Sequence, residues 1–473
     1  MKLNQLTIKE AQSGLRKRQF SAVELTQACL EQIEKEDPKI NAFITLAKKA
    51  ALAQAEAVDV EIKQNPEIFK EKPLLGIPMG IKDLFSTQGM KTTAGSKVLD
   101  DYFPVYDATV IKKLKAAGAI ILGKTNLDAW AHGSSGENSD FGPTKNPWNL
   151  DYVPGGSSSG SAVALAAEMC LASTGTDTGG SIRLPASFCG VVGLKPTYGR
   201  VSRYGIIAMA SSLDSIGHFA KSVADAALIL GVTAGQDHFD ATTPDIKVPD
   251  YLQDLAKGVK GIKIGLPKEY FQQGLDPEVK KMVLKAVEQF ERLGAKTVSI
   301  SLPHSAYALA VYYIIQPAEV SSNLARYDGI RFGFPRDRFS DEAKRRIILG
   351  TFTLSSGYYE AYYLKAMQVR TLIREDFTQA FKKVDVLMAP VSPTLPFKLG
   401  EKIKDPLQMY LSDIYTVTAN LAGLPGLSLP AGLVKGLPVG FQLLGPQFRE
   451  DCLFRVGAAY EQAAAWPRRG PKR

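Results

Sequence analysis

Apolar and polar positions follow helical spacing through the first 65 residues, which predicts an N-terminal helical segment. Ser21-Ala22-Val23-Glu24 has the form of a capping box, in which serine hydroxyl and glutamate carboxylate each satisfy a free backbone N–H. The amphipathic run that it opens is expected to end at Pro38, because proline lacks the N–H that continues the ladder. An alanine-rich helix is expected over about Thr45 to Gln64. From Pro73 the pattern changes to short apolar runs between glycines, Gly76 to Ile81 and Ala119 to Leu122, then a long Gly/Ser section from 133 to 217. Beyond residue 225 the two periodicities take turns. Gly261 to Leu266 predicts a strand, and Asp276-Pro277-Glu278 opens a helix that Gly294 closes. Thr297 to Ile300 predicts a strand, 306–326 and 339–383 are mainly helical, and Val384 to Ala389 is a buried strand. Strands near 426–430 and 438–444 precede a final helix.

Alternating β and α elements predict an α/β fold, a central mixed sheet covered by helices on both faces. No linker-like break or internal repeat interrupts it. The 473 residues therefore read as one domain, with 1–65 packed on it and 76–217 as its core. Ile414 to Val434 is 21 residues without a charge, long enough to consider as a membrane span. Its Thr416, Asn420, Gly423, Pro425, Gly426, Pro430 and Gly432 would leave backbone groups unpaired in lipid, so a buried helix, a turn and a strand are expected instead. The first residues lack the apolar run of a signal peptide, which points to the cytoplasm.

Composition narrows the chemistry. The chain has 57 Lys+Arg against 48 Asp+Glu, a net charge of +9, with basic residues scattered among acidic ones. The compact positive run Pro467 to Arg473 reads as a solvated tail. The four histidines (His132, His218, His238, His304) and four cysteines (Cys29, Cys170, Cys189, Cys452) form neither HExxH nor CxxC. Neither a metal site nor a disulfide framework is expected.

Three glycine-rich matches compete. Gly118 to Thr125 satisfies the phosphate-cradling pattern GxxxxGK[ST]. A helix, roughly Ala108 to Ala117, precedes it, and the four residues between its glycines are apolar and β-favouring. Such a segment is a strand after a helix cap, not a loop that wraps a phosphate. Gly156-Ser157-Ser158-Ser159-Gly160 satisfies GxSxG, with Ser158 in the centre, but no buried strand leads into it. It runs instead into an apolar helix, Ala162 to Met169. The third match, Thr176 to Arg183, follows an apolar segment, Met169 to Ala172. Backbone N–H groups in such a turn can converge on a developing oxyanion, and Ser181 sits where its hydroxyl could attack. A plain anion-binding turn is the alternative. No histidine lies in these segments to act as base. Lys82, ending the apolar run before Asp83, can serve if burial disfavours its charged form.

Taken together and in order, Gly76 to Asp83, Gly155 to Ser161 and Gly175 to Arg183 closely resemble the amidase signature family. The resemblance covers nearly the whole chain. It implies a Ser–cisSer–Lys triad, with Ser181 as nucleophile, Ser157 as bridging serine in a cis peptide and Lys82 as base. It also implies an oxyanion hole around Thr178, Gly179 and Gly180, and it removes Ser158 from the nucleophile role. Gly123 to Asn126, Gly142 to Trp148, Ser321 to Gly329 and Lys344 to Ile347 are similar to the family's branch that works inside tRNA-dependent amidotransferases. That branch implies a glutaminase handing ammonia to a B subunit, where ATP and Mg activate mischarged tRNA, with a small C subunit clamping the pair. No cofactor is expected in this chain. The same similarity places Tyr312, Arg346 and Asp413 in a glutamine pocket, the guanidinium for the carboxylate and the aspartate for the ammonium.

The chain departs from the family in three places. Asp128-Ala129-Trp130-Ala131-His132-Gly133 stands where the family commonly has Asp-Glu-Phe-Ala-Met-Gly, and His218 stands where proline is common. The stretch between Gly333 and Lys344 looks about ten residues short. The first two are expected to alter pocket or ammonia-passage lining, the third partner contacts. A stand-alone amidase for small amides, a P-loop NTPase using Lys124 and Thr125, and a non-catalytic scaffold are the rivals.

Overall fold

The computed structural model describes residues 2–331, 333–464, 466, 470 and 471. Most of the basic tail lies outside the described residues. The sheet contains β1 (Phe43–Leu46), β2 (Pro78–Lys82), β3 (Ile120–Thr125), β4 (Ala172–Asp177), β5 (Val192–Lys195) and β6 (Ser215–Ala220). It continues with β7 (Lys263–Pro267), β8 (Lys296–Ile300), β9 (Val386–Pro390), β10 (Gly426–Val434) and β11 (Leu437–Leu444). The eleven lie in the order β1-β3-β2-β4-β6-β5-β10-β11-β9-β7-β8. β2 runs parallel to β3 and β4, and β7 parallel to β8 and β9, while the other pairings are antiparallel. Helices cover both faces, as the alternation predicts.

Every residue of β2, β3 and β4 is buried. This explains the apolar runs at the starts of β2 and β3, since a strand packed on both faces has no reason to alternate, while the polar side chains of β4 are buried with the site. One large cluster of buried apolar side chains extends from Ile8 to Tyr460. Shortening a fully buried member such as Phe441 to alanine would cost about 3–5 kcal/mol.

The Gly/Ser section is far more regular than its composition suggests. It contains β4, β5, part of β6 and the helices Ser159–Ala166 and Arg183–Cys189. Its small residues serve close packing. A Cβ on Gly217 of β6 would collide with the Leu194 carbonyl oxygen and lie 2.9 Å from Ile182 Cδ1.

The capping box forms as expected: Glu24 N–H donates to Ser21 Oγ, and Ser21 N–H donates to the Glu24 carboxylate. Its helix, Ala22–Ile40, continues past Pro38 and ends where Asn41 adopts a left-handed conformation. Proline lacks only its own N–H, so the helix loses a ladder bond at Pro38 and runs on to the cap at Asn41. Thr45 belongs to β1 rather than to the following helix, Lys48–Gln64, because the edge of β3 recruits it. The uncharged segment 414–434 is the buried helix Val417–Leu421, a turn and β10. Among the described residues, no helix is long and apolar enough to cross a membrane.

Candidate active site

Parallel pairing with β3 and β4 brings the end of β2 into the middle of the sheet, and Lys82 emerges there with no exposure to solvent. Its Nζ lies 2.9 Å from Ser157 Oγ, 2.8 Å from Ser158 Oγ and 2.7 Å from Thr176 Oγ1. Burial pushes the Lys82 pKa down to about 7, and the carboxylates of Asp128, Asp177 and Asp214 limit the fall. The peptide Gly156–Ser157 is cis. Ser158 Oγ donates to the Thr176 carbonyl at 3.1 Å, and Ser158 N–H donates to the Ser181 carbonyl at 3.2 Å. Lys82 and Ser157 therefore meet from distant stretches of sequence, and the backbone of Ser181 joins them through the adjacent Ser158. Ser181 is 8% exposed while the other two are 0% exposed, so Ser181 is the member that an incoming molecule can reach.

The turn from Thr178 to Ser181 is fixed from several sides. Thr178 Oγ1 donates to Asp214 at 2.7 Å, and Thr416 Oγ1 donates to the Gly179 carbonyl at 2.5 Å. Asp177 accepts from the N–H groups of Ile182 and Arg183 and forms a buried ion pair with the Arg183 guanidinium. That guanidinium holds the Asp177 pKa below the carboxylate range, overriding the upward push of burial. Glycine is needed at both central positions. A Cβ on Gly179 would meet the Tyr312 hydroxyl at 2.6 Å, and Gly180 has φ +141°, with Thr416 Oγ1 occupying the place its Cβ would take.

Tyr312, Arg346 and Asp413 gather beside this turn, all buried. Arg346 packs beside the stacked rings of Tyr313 and Tyr410, 4.9 Å from each centroid. Its Nε pairs with Glu342 at 2.7 Å, and its Nη1 donates to Gln316 at 2.6 Å. Asp413 accepts from Ser134 at 2.7 Å and from the Tyr313 hydroxyl at 3.1 Å. Burial raises the Asp413 pKa to about 7. Arg346 is thus buried and not a charge on its helix surface. Arg346 also lines a cavity of about 310 Å³ together with Gly133, Ser134 and Tyr410.

Several neighbours had no claim from sequence alone: Thr176, Asp214, Tyr313, Gln316 and Thr416. Tyr313 and Gln316 stand three apart on one helix, and Glu342 and Arg346 four apart on another, spacings that place each pair on one face. Which faces meet is not written in either helix. The segment Gly118 to Thr125 is a helix cap followed by β3, and Lys124 is buried in an ion pair with Asp83 at 3.2 Å. It forms no phosphate loop. His218 bonds Thr233 Oγ1 at 2.8 Å and so joins β6 to the helix Val223–Thr233.

A lysine on serine hydroxyls beside a glycine-rich turn, set in this mixed sheet, places the protein among the amide-cleaving α/β enzymes. The model of the amidase family matches residues 24–454, and the chain belongs to that family. More particular likenesses span its whole length. The A subunit of glutamyl-tRNA(Gln) amidotransferase from Geobacter metallireducens is 55% identical, covering 98% of this chain and 99% of that protein. Its namesake from Carboxydothermus hydrogenoformans is 54% identical over 100% of both. The solved A subunit of the Thermotoga maritima glutamyl-tRNA(Gln) amidotransferase superposes with a TM-score of 0.84 at 44% identity, covering 100% of this chain and 99% of that one. The peptide amidase of Stenotrophomonas maltophilia gives 0.83 at 32%, covering 98% of each.

Proposed function

We propose that this protein is the glutamine-hydrolysing component of a tRNA-dependent amidotransferase. The observation that carries the chemistry is Lys82, buried against Ser157 with only hydroxyl partners for its Nζ among the described residues. Full-length similarity to amidotransferase A subunits supports the biological setting.

Neutral Lys82 accepts a proton from Ser157, which accepts one from Ser181 as Ser181 Oγ attacks the side-chain amide carbon of glutamine. The N–H groups of the Thr178–Gly180 turn receive the oxyanion, already oriented before charge develops. Collapse breaks the C–N bond. The proton returns through Ser157 to the leaving nitrogen, ammonia departs, and water hydrolyses the ester on Ser181 to release glutamate. Arg346 and Asp413, with Tyr312 beside them, take the amino-acid end of the substrate.

Ammonia passes to a partner B subunit that amidates mischarged tRNA, and a C subunit holds the two together in the cytoplasm. ATP and Mg act on the B partner. The continuous eleven-stranded sheet supports reading the chain as one domain. Co-purification followed by a glutaminase assay, with and without ATP and mischarged tRNA, tests the proposal. Glutamine hydrolysis that rises with partners supports it; full activity of the lone chain on simple aliphatic amides replaces it with a stand-alone amidase.

A further inference from the structure

The segment Asp128–Asn138 touches both halves of the site. Asp128 N–H donates to the Ser157 carbonyl at 3.2 Å, and Gly156 N–H donates to the Ser134 carbonyl at 2.9 Å. Ser134 then bonds Asp413. His132 lies on this segment, two residues before Ser134. Its side chain is completely buried, yet among the described residues neither Nδ1 nor Nε2 has a hydrogen-bond partner. Burial, reinforced by the nearby Arg346 charge, holds the ring neutral by lowering its pKa well below the usual value.

His132 has company. Among the described residues, Gln316 Nε2, on the amide that accepts from Arg346, is also unpaired, as is Ser412 Oγ beside Asp413. Buried polar atoms are paired in the great majority of cases, and these three unpaired groups sit on segments that bond Arg346 or carry or bond Asp413, which makes them candidates for contact with a ligand there. The adjoining Trp130 has a packing role, its ring 4.8 Å from that of Tyr327 and 5.2 Å from that of Phe339. Its indole N–H is also unpaired among the described residues, but the ring is held in this aromatic cluster, whereas His132 alone on the segment offers both a donor and an acceptor without partners.

We propose that His132 is a specificity-determining residue whose imidazole hydrogen-bonds the amino-acid end of the substrate held between Arg346 and Asp413. A neutral imidazole donates from one nitrogen and accepts at the other, so it suits a group carrying both a carboxylate and an ammonium. The methionine common in the family at this position offers neither function. The inference rests on the glutaminase reading above.

The test compares two amides on the full chain in its co-purified assembly: glutamine, and butyramide, which has no α-amino or carboxylate group. For His132→Met, the ratio of kcat/KM for glutamine to that for butyramide is expected to fall about tenfold, with the glutamine KM carrying more of the change than kcat. His132→Gln, which keeps a donor and an acceptor, recovers part of the ratio. The melting temperature of His132→Met rises, because an apolar side chain replaces a buried ring with two unpaired nitrogens. A ratio within twofold of the wild type in both variants, or a lowered melting temperature with parallel losses on both amides, overturns the role of His132 while leaving the glutaminase reading intact. Wild-type turnover of butyramide but not of glutamine overturns the glutaminase reading and this inference with it.

Discussion

The ends of β2 and β3 carry the same residue type in nearly the same surroundings and put it to different use. Lys82 pairs in register with Thr125, one residue beyond Lys124, and both lysines are 0% exposed. Lys124 Nζ meets Asp83 at 3.2 Å, the Phe85 carbonyl at 2.7 Å and Thr92 Oγ1 at 2.6 Å. Lys82 meets three hydroxyls and, among the described residues, no carboxylate within hydrogen-bond reach. Burial pulls both pKa values down, but at Lys124 the Asp83 carboxylate opposes it from direct contact. Burial alone, then, does not make a lysine a base; the partner set decides whether the charge is anchored or removable.

The most severe way to test this contrast is to remove the reacting groups. Ser181→Ala and Lys82→Met are expected to lower kcat for glutamine by about 10³-fold or more while the fold persists, measured by steady-state ammonia release and circular dichroism. Equal activity in Lys82→Met would end the assignment of Lys82 as base. Lys124→Met should invert the pattern. It leaves Asp83 buried without its cation, which costs about 3–5 kcal/mol in denaturant titration, while kcat of the folded fraction stays within about tenfold.

A smaller effect separates the serines that contact Lys82. Ser158→Ala removes one hydroxyl from Lys82 and one bond to the Thr176 carbonyl, and is expected to lower kcat by about tenfold. A loss as large as that of Ser181→Ala would return Ser158, the central residue of GxSxG, to the nucleophile role.

The mildest test is pH. Lys82 must be neutral to accept a proton, so glutamine kcat should rise with pH through about 7. Stability carries the same signature. Between about pH 7 and the ordinary lysine value of 10.5, the unfolded chain holds a proton on Lys82 that the folded chain lacks. The Lys82 contribution therefore makes stability rise with pH across that window, and Lys82→Met should flatten the slope in thermal melts. An unchanged slope would mean that Lys82 is charged in the folded protein.

Much of this was legible in the chain. The capping box at Ser21, the helix opened by Asp276, the strand identity of Ala119 to Leu122 and the rejection of a phosphate loop all follow from local spacing, and local spacing governs those elements. The polar pocket was legible only at three positions, through resemblance. Tyr313, Gln316 and Tyr410 belong to helices whose packing brings Arg346 beside two stacked rings, and no spacing within one helix specifies a neighbour on another. Pro38 and Thr45 were misplaced for the opposite reason: local preference was clear, but an αL cap at Asn41 and the free edge of β3 outweighed it.

The sequence by itself determined the sheet-and-helix alternation, the glycine-rich turns before Ser157 and Ser181 and the supply of residues for a lysine–serine site, because periodicity and turn chemistry act over a few residues. Only the tertiary structure decided which of Lys82 and Lys124 is bonded to a carboxylate and which of Ser157 and Ser181 is exposed. It also decided which histidine is left unpaired beside Arg346. Those properties depend on burial and on partners up to several hundred residues away, and burial sets the energy of a charge far more strongly than any neighbour in the chain.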